Sequence, residues 1–180
     1  MISFYKPNSK NTGTACSFSV NSKEGSIWSS LIKQSSWNEG TKTGSFSDNK
    51  DNPQKSAKVK FSTTEAAGLL EALDKNVEFS AYYSSDKQVT KIKFSPYIRD
   101  DKQVGFSYSV NKESKENVEN KQSFLLGFYF SEARLLREFL IHALQSVFRT
   151  QEVEAIKKFK NSKSNQELNK SNAEEDGELW

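Results

Sequence analysis

At 180 residues, with 34% hydrophobic, 27% charged and 12% aromatic side chains, the chain is polar but too rich in rings for a disordered polymer, and its length suits one domain or two small halves sharing a core. Its longest apolar stretch, residues 124–130, is strand-sized against the roughly 18–20 residues of a membrane span, and the first seven residues lack the basic start and apolar core of a signal peptide. One Cys (Cys16) and one His (His142) exclude an intramolecular disulfide framework and a His/Cys zinc site, so no cofactor is expected, and the lone Cys fits a reducing, cytoplasmic compartment.

Residues 1–13, with Pro7 and several Asn, Ser and Lys, read as an irregular arm. Strand alternation begins at Thr14, with Cys16, Phe18 and Val20 on one side, and NSKEG at 21–25 supplies a turn. Residues 27–37 read as a long, Ser-rich and bent strand, residues 43–47 as a short third strand, and residues 48–56 as a polar loop. In the fourth strand, 57–61, Val59 and Phe61 oppose Lys58 and Lys60. A helix follows, with Ser62 or Thr63 as N-cap, Glu65 in the first turn and Ala66, Leu69, Leu70 and Leu73 at helical spacing.

The plan then repeats. Alternation recurs at 77–84, at 89–97 (Ile92 and Phe94 opposite Lys91 and Lys93) and at 104–110, and residues 123–130 form the last strand. A helix from Ser131 runs to about Phe159, and residues 160–180 read as a disordered, acidic-ended tail. The fold class expected is α+β: two repeats of four antiparallel strands and a helix, 14–76 and 77–159, within one domain. Superimposing Phe61 on Phe130 brings the two strand–helix junctions together.

A sheet that packs one face leaves the other free. Lys58, Lys60, Lys91 and Lys93 are expected on the free faces with Tyr82 and Tyr129, and Trp28, Lys33 and Trp37 are further candidates. Cations interleaved with rings suit a single strand of nucleic acid: lysines hold phosphates while rings stack on bases, largely without regard to base identity. Alternating Lys also keeps an ordinary sheet face soluble, and Trp28 and Trp37 suit a core as well as a stacking platform.

The repeated order of four strands and a helix, with Lys58-Val-Lys-Phe61 before the first helix, resembles the Whirly and "positive cofactor four" group of single-stranded DNA-binding proteins. The resemblance spans about residues 14–149. The Whirly lysine-rich strand motif has a loose counterpart in Lys55-Ser-Ala-Lys-Val-Lys60. It implies binding of single-stranded DNA, or of RNA as an annealing factor or transcription regulator, and assembly as a dimer or tetramer.

The last seven residues hold four acids (Glu174, Glu175, Asp176 and Glu178) and no base, and end in Leu179 and Trp180; the rest of the chain carries 26 bases against 19 acids. Such a tail is similar to those of bacterial and bacteriophage single-stranded DNA-binding proteins. It implies recruitment of replication, recombination or repair proteins in a bacterial or phage-infected cell. An enzyme is not expected. His142 lies within the apolar pattern of a helix and reads as half-buried at the core edge, and the carboxylates a nuclease would need (Asp48, Asp51, Asp100 and Asp101) fall in polar turns. The apolar final helix (Leu136, Phe139, Leu140, Ile141, Leu144, Val147, Phe148) predicts a homo-oligomer.

Overall fold

Two antiparallel meanders, each followed by a helix, pack their inner faces against each other. A computed structural model describes the backbone of residues 1–117 and 121–175, and the side chains of those up to 161. In chain order the elements are β1 (Ile2–Lys6), β2 (Thr14–Asn21), β3 (Ser26–Lys33), β4 (Ser36–Asn38), β5 (Thr43–Ser45), a 3-10 turn (Ser47–Asn49), β6 (Ser56–Phe61), α1 (Thr63–Lys75), β7 (Phe79–Ser84), β8 (Gln88–Arg99), β9 (Lys102–Ser114), β10 (Lys121–Phe128) and α2 (Phe130–Glu175). The first sheet has the order β1-β2-β3-β6 and the second β7-β8-β9-β10, while β4 and β5 form a separate hairpin.

The two-repeat α+β architecture matches the sequence expectation, with four local corrections. Residues 2–6 are not an arm but the edge strand of the first sheet, because Ile2 and Phe4 point inward beside Phe18 and Cys16. The long strand expected over 27–37 stops at Lys33, where the buried Gln34 turns the chain out of the sheet. Residues 43–45 therefore pair with β4 and contribute nothing to the main sheet. Finally, α2 continues past Phe159 to Glu175, since no Gly or Pro interrupts it before Gly177.

The capping box of α1 is complete: the Ser62 hydroxyl accepts from the Glu65 amide and the Glu65 carboxylate accepts from the Ser62 amide. At α2 the Tyr129 amide donates to Glu132 in the same way, at 2.8 Å. Ser62 therefore corresponds to Tyr129, and Phe61 to Phe128 rather than Phe130. Carried through the strand registers, this correspondence relates Phe18 to Phe94, Ser29 to Tyr108 and Val59 to Leu126. The Ser29 and Tyr108 hydroxyls, equivalent by this rule, meet at 2.6 Å in the core. This contact joins the two sheets within the shared core. Around it Phe4 packs edge-on against Phe128 at 4.9 Å, and Phe18 tilts against Tyr108 at 5.8 Å. The inner face of each sheet is thus covered by the other sheet as well as by helix, through one continuous core.

Candidate nucleic-acid interface

Strand parity sends every second residue of each sheet outward. On the first sheet the outward rows run Tyr5–Ala15–Ile32–Ser56, Ser3–Ser17–Ser30–Lys58 and Ser19–Trp28–Lys60 across the strands. Lys58, Lys60 and Trp28 thus share one open face, with the Lys60 ammonium 5.6 Å from the Trp28 ring centre. Lys60 also lies 3.9 Å from Glu24. Among the described residues no carboxylate lies within ion-pair distance of Lys58.

On the second sheet the rows run Tyr82–Lys91–Asn111–Ser123 and Ser80–Lys93–Ser109–Leu125. Tyr82, Lys91 and Lys93 are brought together as expected, and Tyr82 is 62% exposed. Here the lysines already have partners, Glu113 at 3.5 Å from Lys91 and Glu78 at 2.7 Å from Lys93. A bound phosphate must compete with these carboxylates.

Three other candidates sit elsewhere. Lys33 follows Leu31 in parity, so it points to the inner side, its ammonium 5.2 Å from the Phe124 ring centre. Trp37 belongs to the β4–β5 hairpin, half-buried, with its indole N–H enclosed and without a partner among the described residues. Tyr129 is exposed, but it is six residues beyond Ser123, which closes the Tyr82 row, or roughly 20 Å along the strand. It joins a different cluster with Tyr97, Arg99 and Lys6, the Lys6 ammonium standing 4.1 Å over its ring and bridging to Glu132 at 2.6 Å.

Because the sheets pack inner face to inner face, their open faces point away from the shared core. Within one chain they are two separate surfaces rather than one track. Sequence reasoning missed Tyr5, whose place in the first sheet is equivalent to that of Tyr82 in the second. The Ser-Phe-Tyr alternation at residues 3–5 was the available signal. It also missed Tyr97 and Arg99.

The remaining chemistry is sparse. Asp48 and Asp51 lie by the 3-10 turn and Asp100 and Asp101 in the β8–β9 turn, so the four acids are split between the two sheets. No group of three or more metal-ligating side chains occurs among the described residues. His142 is exposed rather than half-buried, near Ser146 at 3.5 Å. Burial raises the Cys16 thiol well above its ordinary range, which keeps it protonated. Leu136, Phe139, Leu140, Leu144 and Val147 are consumed by the chain's own core, and the exposed large apolar residues of α2 are Phe130 and Leu135 in its first turns and Phe148, Val153, Ile156 and Phe159 further along. No described helix is long and apolar enough to cross a membrane. Of the tail, residues 176–180 (Asp176, Glu178, Leu179 and Trp180 among them) lie outside the described residues, and Glu174 and Glu175 end the α2 backbone.

No family model and no curated protein matches the sequence. Solved structures match the fold. WHY1 from Arabidopsis thaliana superposes with a TM-score of 0.57 at 13% identity, over 93% of this chain and 92% of that one. WHY3 from the same plant gives 0.58 at 14% identity, over 93% and 95%. The plant transcriptional regulator PBF-2 gives 0.58 at 11% identity, over 88% and 86%. The chain therefore has a Whirly-like fold.

Proposed function

We propose that the protein binds single-stranded DNA without catalysis, coating or protecting exposed strands in replication, recombination or repair. The observation that carries this reading is the outward row pairing Tyr82 with Lys91, flanked by Lys93, and its counterpart around Tyr5, Trp28, Lys58 and Lys60. Each places a flat ring beside an ammonium on an accessible sheet face, which is what an unpaired base and its phosphate require. The Tyr129–Tyr97–Arg99 cluster extends the second face in the same chemical style. Fluorescence anisotropy tests the reading: oligo-dT should bind more tightly than duplex and weaken with salt. Equal affinity for duplex at low salt refutes it.

The likeness to a transcriptional regulator favours a second reading, an RNA-binding or regulatory role on the same surfaces. Competition between matched RNA and DNA strands separates the two. The protein assembles as a homo-oligomer, dimer or tetramer, through the outer face of α2 at Phe148, Ile156 and Phe159. A purely monomeric sedimentation profile overturns that. Residues 174–180 recruit replication or repair proteins by their acidic charge and the apolar Leu179 and Trp180. Unchanged partner binding after their removal overturns this part alone.

A further inference from the structure

We propose that the first open face contains a subsite for a single unstacked base of the bound strand, closed by Phe46, a wall that the second face lacks. This rests on the single-strand reading above and adds a base-selective position to it.

The subsite is a cleft of about 560 Å³ between the first sheet and the segment that follows β5. Its floor is the row Ser3–Ser17–Ser30, which ends at Lys58. Among the described residues no side-chain hydrogen bond engages these three hydroxyls, so each is open to a ligand as donor and acceptor. Its walls are Ile32 and the rings of Tyr5 and Phe46, whose centres are 5.9 Å apart at 55°. Among the described residues lining the cleft, Lys50 alone carries a charged side chain. Apolar rings, a hydroxyl floor and cations at the rim match a flat heterocycle with a polar edge and an attached phosphate. A purely apolar ligand would leave the hydroxyls unpaired.

The wall is held in place before any ligand arrives. The Gln34 carboxamide, 5% exposed, accepts from the Asn8 and Gly13 amides and donates to the Asn8 and Ser36 carbonyls. The Asn49 carboxamide donates to the Lys33 and Gln34 carbonyls, and the Ser35 amide to the Ser45 carbonyl. Gly44 lies so close to Pro7 and Gln34 that a side-chain carbon there would stand 2.5 Å from the Pro7 Cβ. Such preorganisation lowers the ordering cost of binding.

On the second face the equivalent rows also form a depression, of about 410 Å³ and lined by Ser80, Tyr82, Lys91, Lys93, Ser109 and Asn111, but among the described residues no second ring closes it as Phe46 closes the first. The positions matching Ser17 and Lys58 are Lys93 and Leu125, and β9 and β10 are joined by residues 115–120 alone, where β3 and β6 are joined by residues 34–55. One face reads a base and the other stacks without discrimination.

The test uses the full chain with oligo-dT, oligo-dC and oligo-dA of equal length, read by anisotropy. The wild type should rank the three. Phe46→Ala should weaken binding by about five- to a hundredfold, the range of one lost stacking partner. Ser17→Ala with Ser30→Ala, which alters only surface hydroxyls, should flatten the ranking, whereas Tyr82→Ala on the other face should weaken all three strands alike. Wild-type affinity in Phe46→Ala, or an unaltered ranking in the serine variant, overturns the subsite while single-strand binding stands. A wild type that binds no strand overturns both.

Discussion

Lys58 and Lys93 lie in corresponding outward rows of the two sheets, though on different strands, and start from different electrostatic states. Lys58 has no acidic partner among the described residues, whereas the Lys93 ammonium lies 2.7 Å from Glu78 with both side chains about half exposed. Each phosphate contact on a single strand contributes about 0.7 to the slope of log affinity against log salt. Lys58→Gln should therefore lower that slope by about 0.7. Lys93→Gln should lower it equally but cost less affinity, because the wild-type contact is made by exchanging one carboxylate for another anion. The converse variant is more diagnostic. An exposed pair is worth only a few tenths of a kcal/mol up to about 1, so Glu78→Gln should tighten oligo-dT binding by roughly 1.4- to 5-fold at low salt, an advantage that fades as salt rises. Anisotropy across a salt series reads both quantities. If Glu78→Gln binds no tighter, or Lys58→Gln leaves the slope unchanged, these faces do not hold the backbone.

Other outcomes test the scaffold. Tyr108→Phe leaves the buried Ser29 hydroxyl without its partner and should cost about 1–3 kcal/mol in urea unfolding, while adding Ser29→Ala should restore much of the loss; additive losses in the double variant would contradict the pairing. Burial alone would raise the Glu65 carboxyl, but hydrogen bonds from the Ser62 amide, the Tyr83 hydroxyl and the Ser62 hydroxyl outweigh it and hold the group below the usual carboxylate range. Its stabilising contribution is accordingly complete above the unfolded value of about 4.3 and disappears as pH falls through the lower folded value. Tyr83→Phe should shrink that acid-side loss, and an identical acid profile would refute the assignment. Gly105 has φ near +153°, and a Cβ there would stand 1.9 Å from the Phe128 carbonyl oxygen, so Gly105→Ala should lose at least about 1–3 kcal/mol in the same unfolding assay.

Where alternation was clean, element identity was readable from residue order: β2, β6, α1 and the whole second sheet were placed within a few residues. The errors have local causes. A five-residue edge strand followed by Pro7 and Asn8 carries too little pattern to distinguish it from a loose arm, and its inward Ile2 and Phe4 acquire meaning only opposite Phe18 and Cys16. Gln34 ends β3 through three tertiary hydrogen bonds, to Asn8 and Gly13, and a local one to the Ser36 carbonyl, none of which periodicity announces. The repeat register was in plain view. Glu65-Ala66-x-x-Leu69 and Glu132-Ala133-x-x-Leu136 coincide once Phe61 is laid on Phe128, but the aromatic cluster at 128–130 allowed a slip of two residues. For the candidate site, parity sufficed for Lys58, Lys60, Lys91, Lys93 and Tyr82. The Ser-rich 27–37 stretch gave no clear alternation for Lys33 and Trp37: within β3 Lys33 shares the inner side with Leu31, and Trp37 lies beyond the break at Gln34, in the separate hairpin.

The hydroxyl contact between Ser29 and Tyr108 limits how alike the two halves of this chain can become. At that spot a perfectly duplicated molecule would set a residue against its own twin. Two tyrosines would collide, and two serines would leave a void where a ring now fits. A large partner and a small one fill the space together, so neither half can be replaced by a copy of the other, and chimeras built by doubling one half should fail at the centre before they fail at the rim.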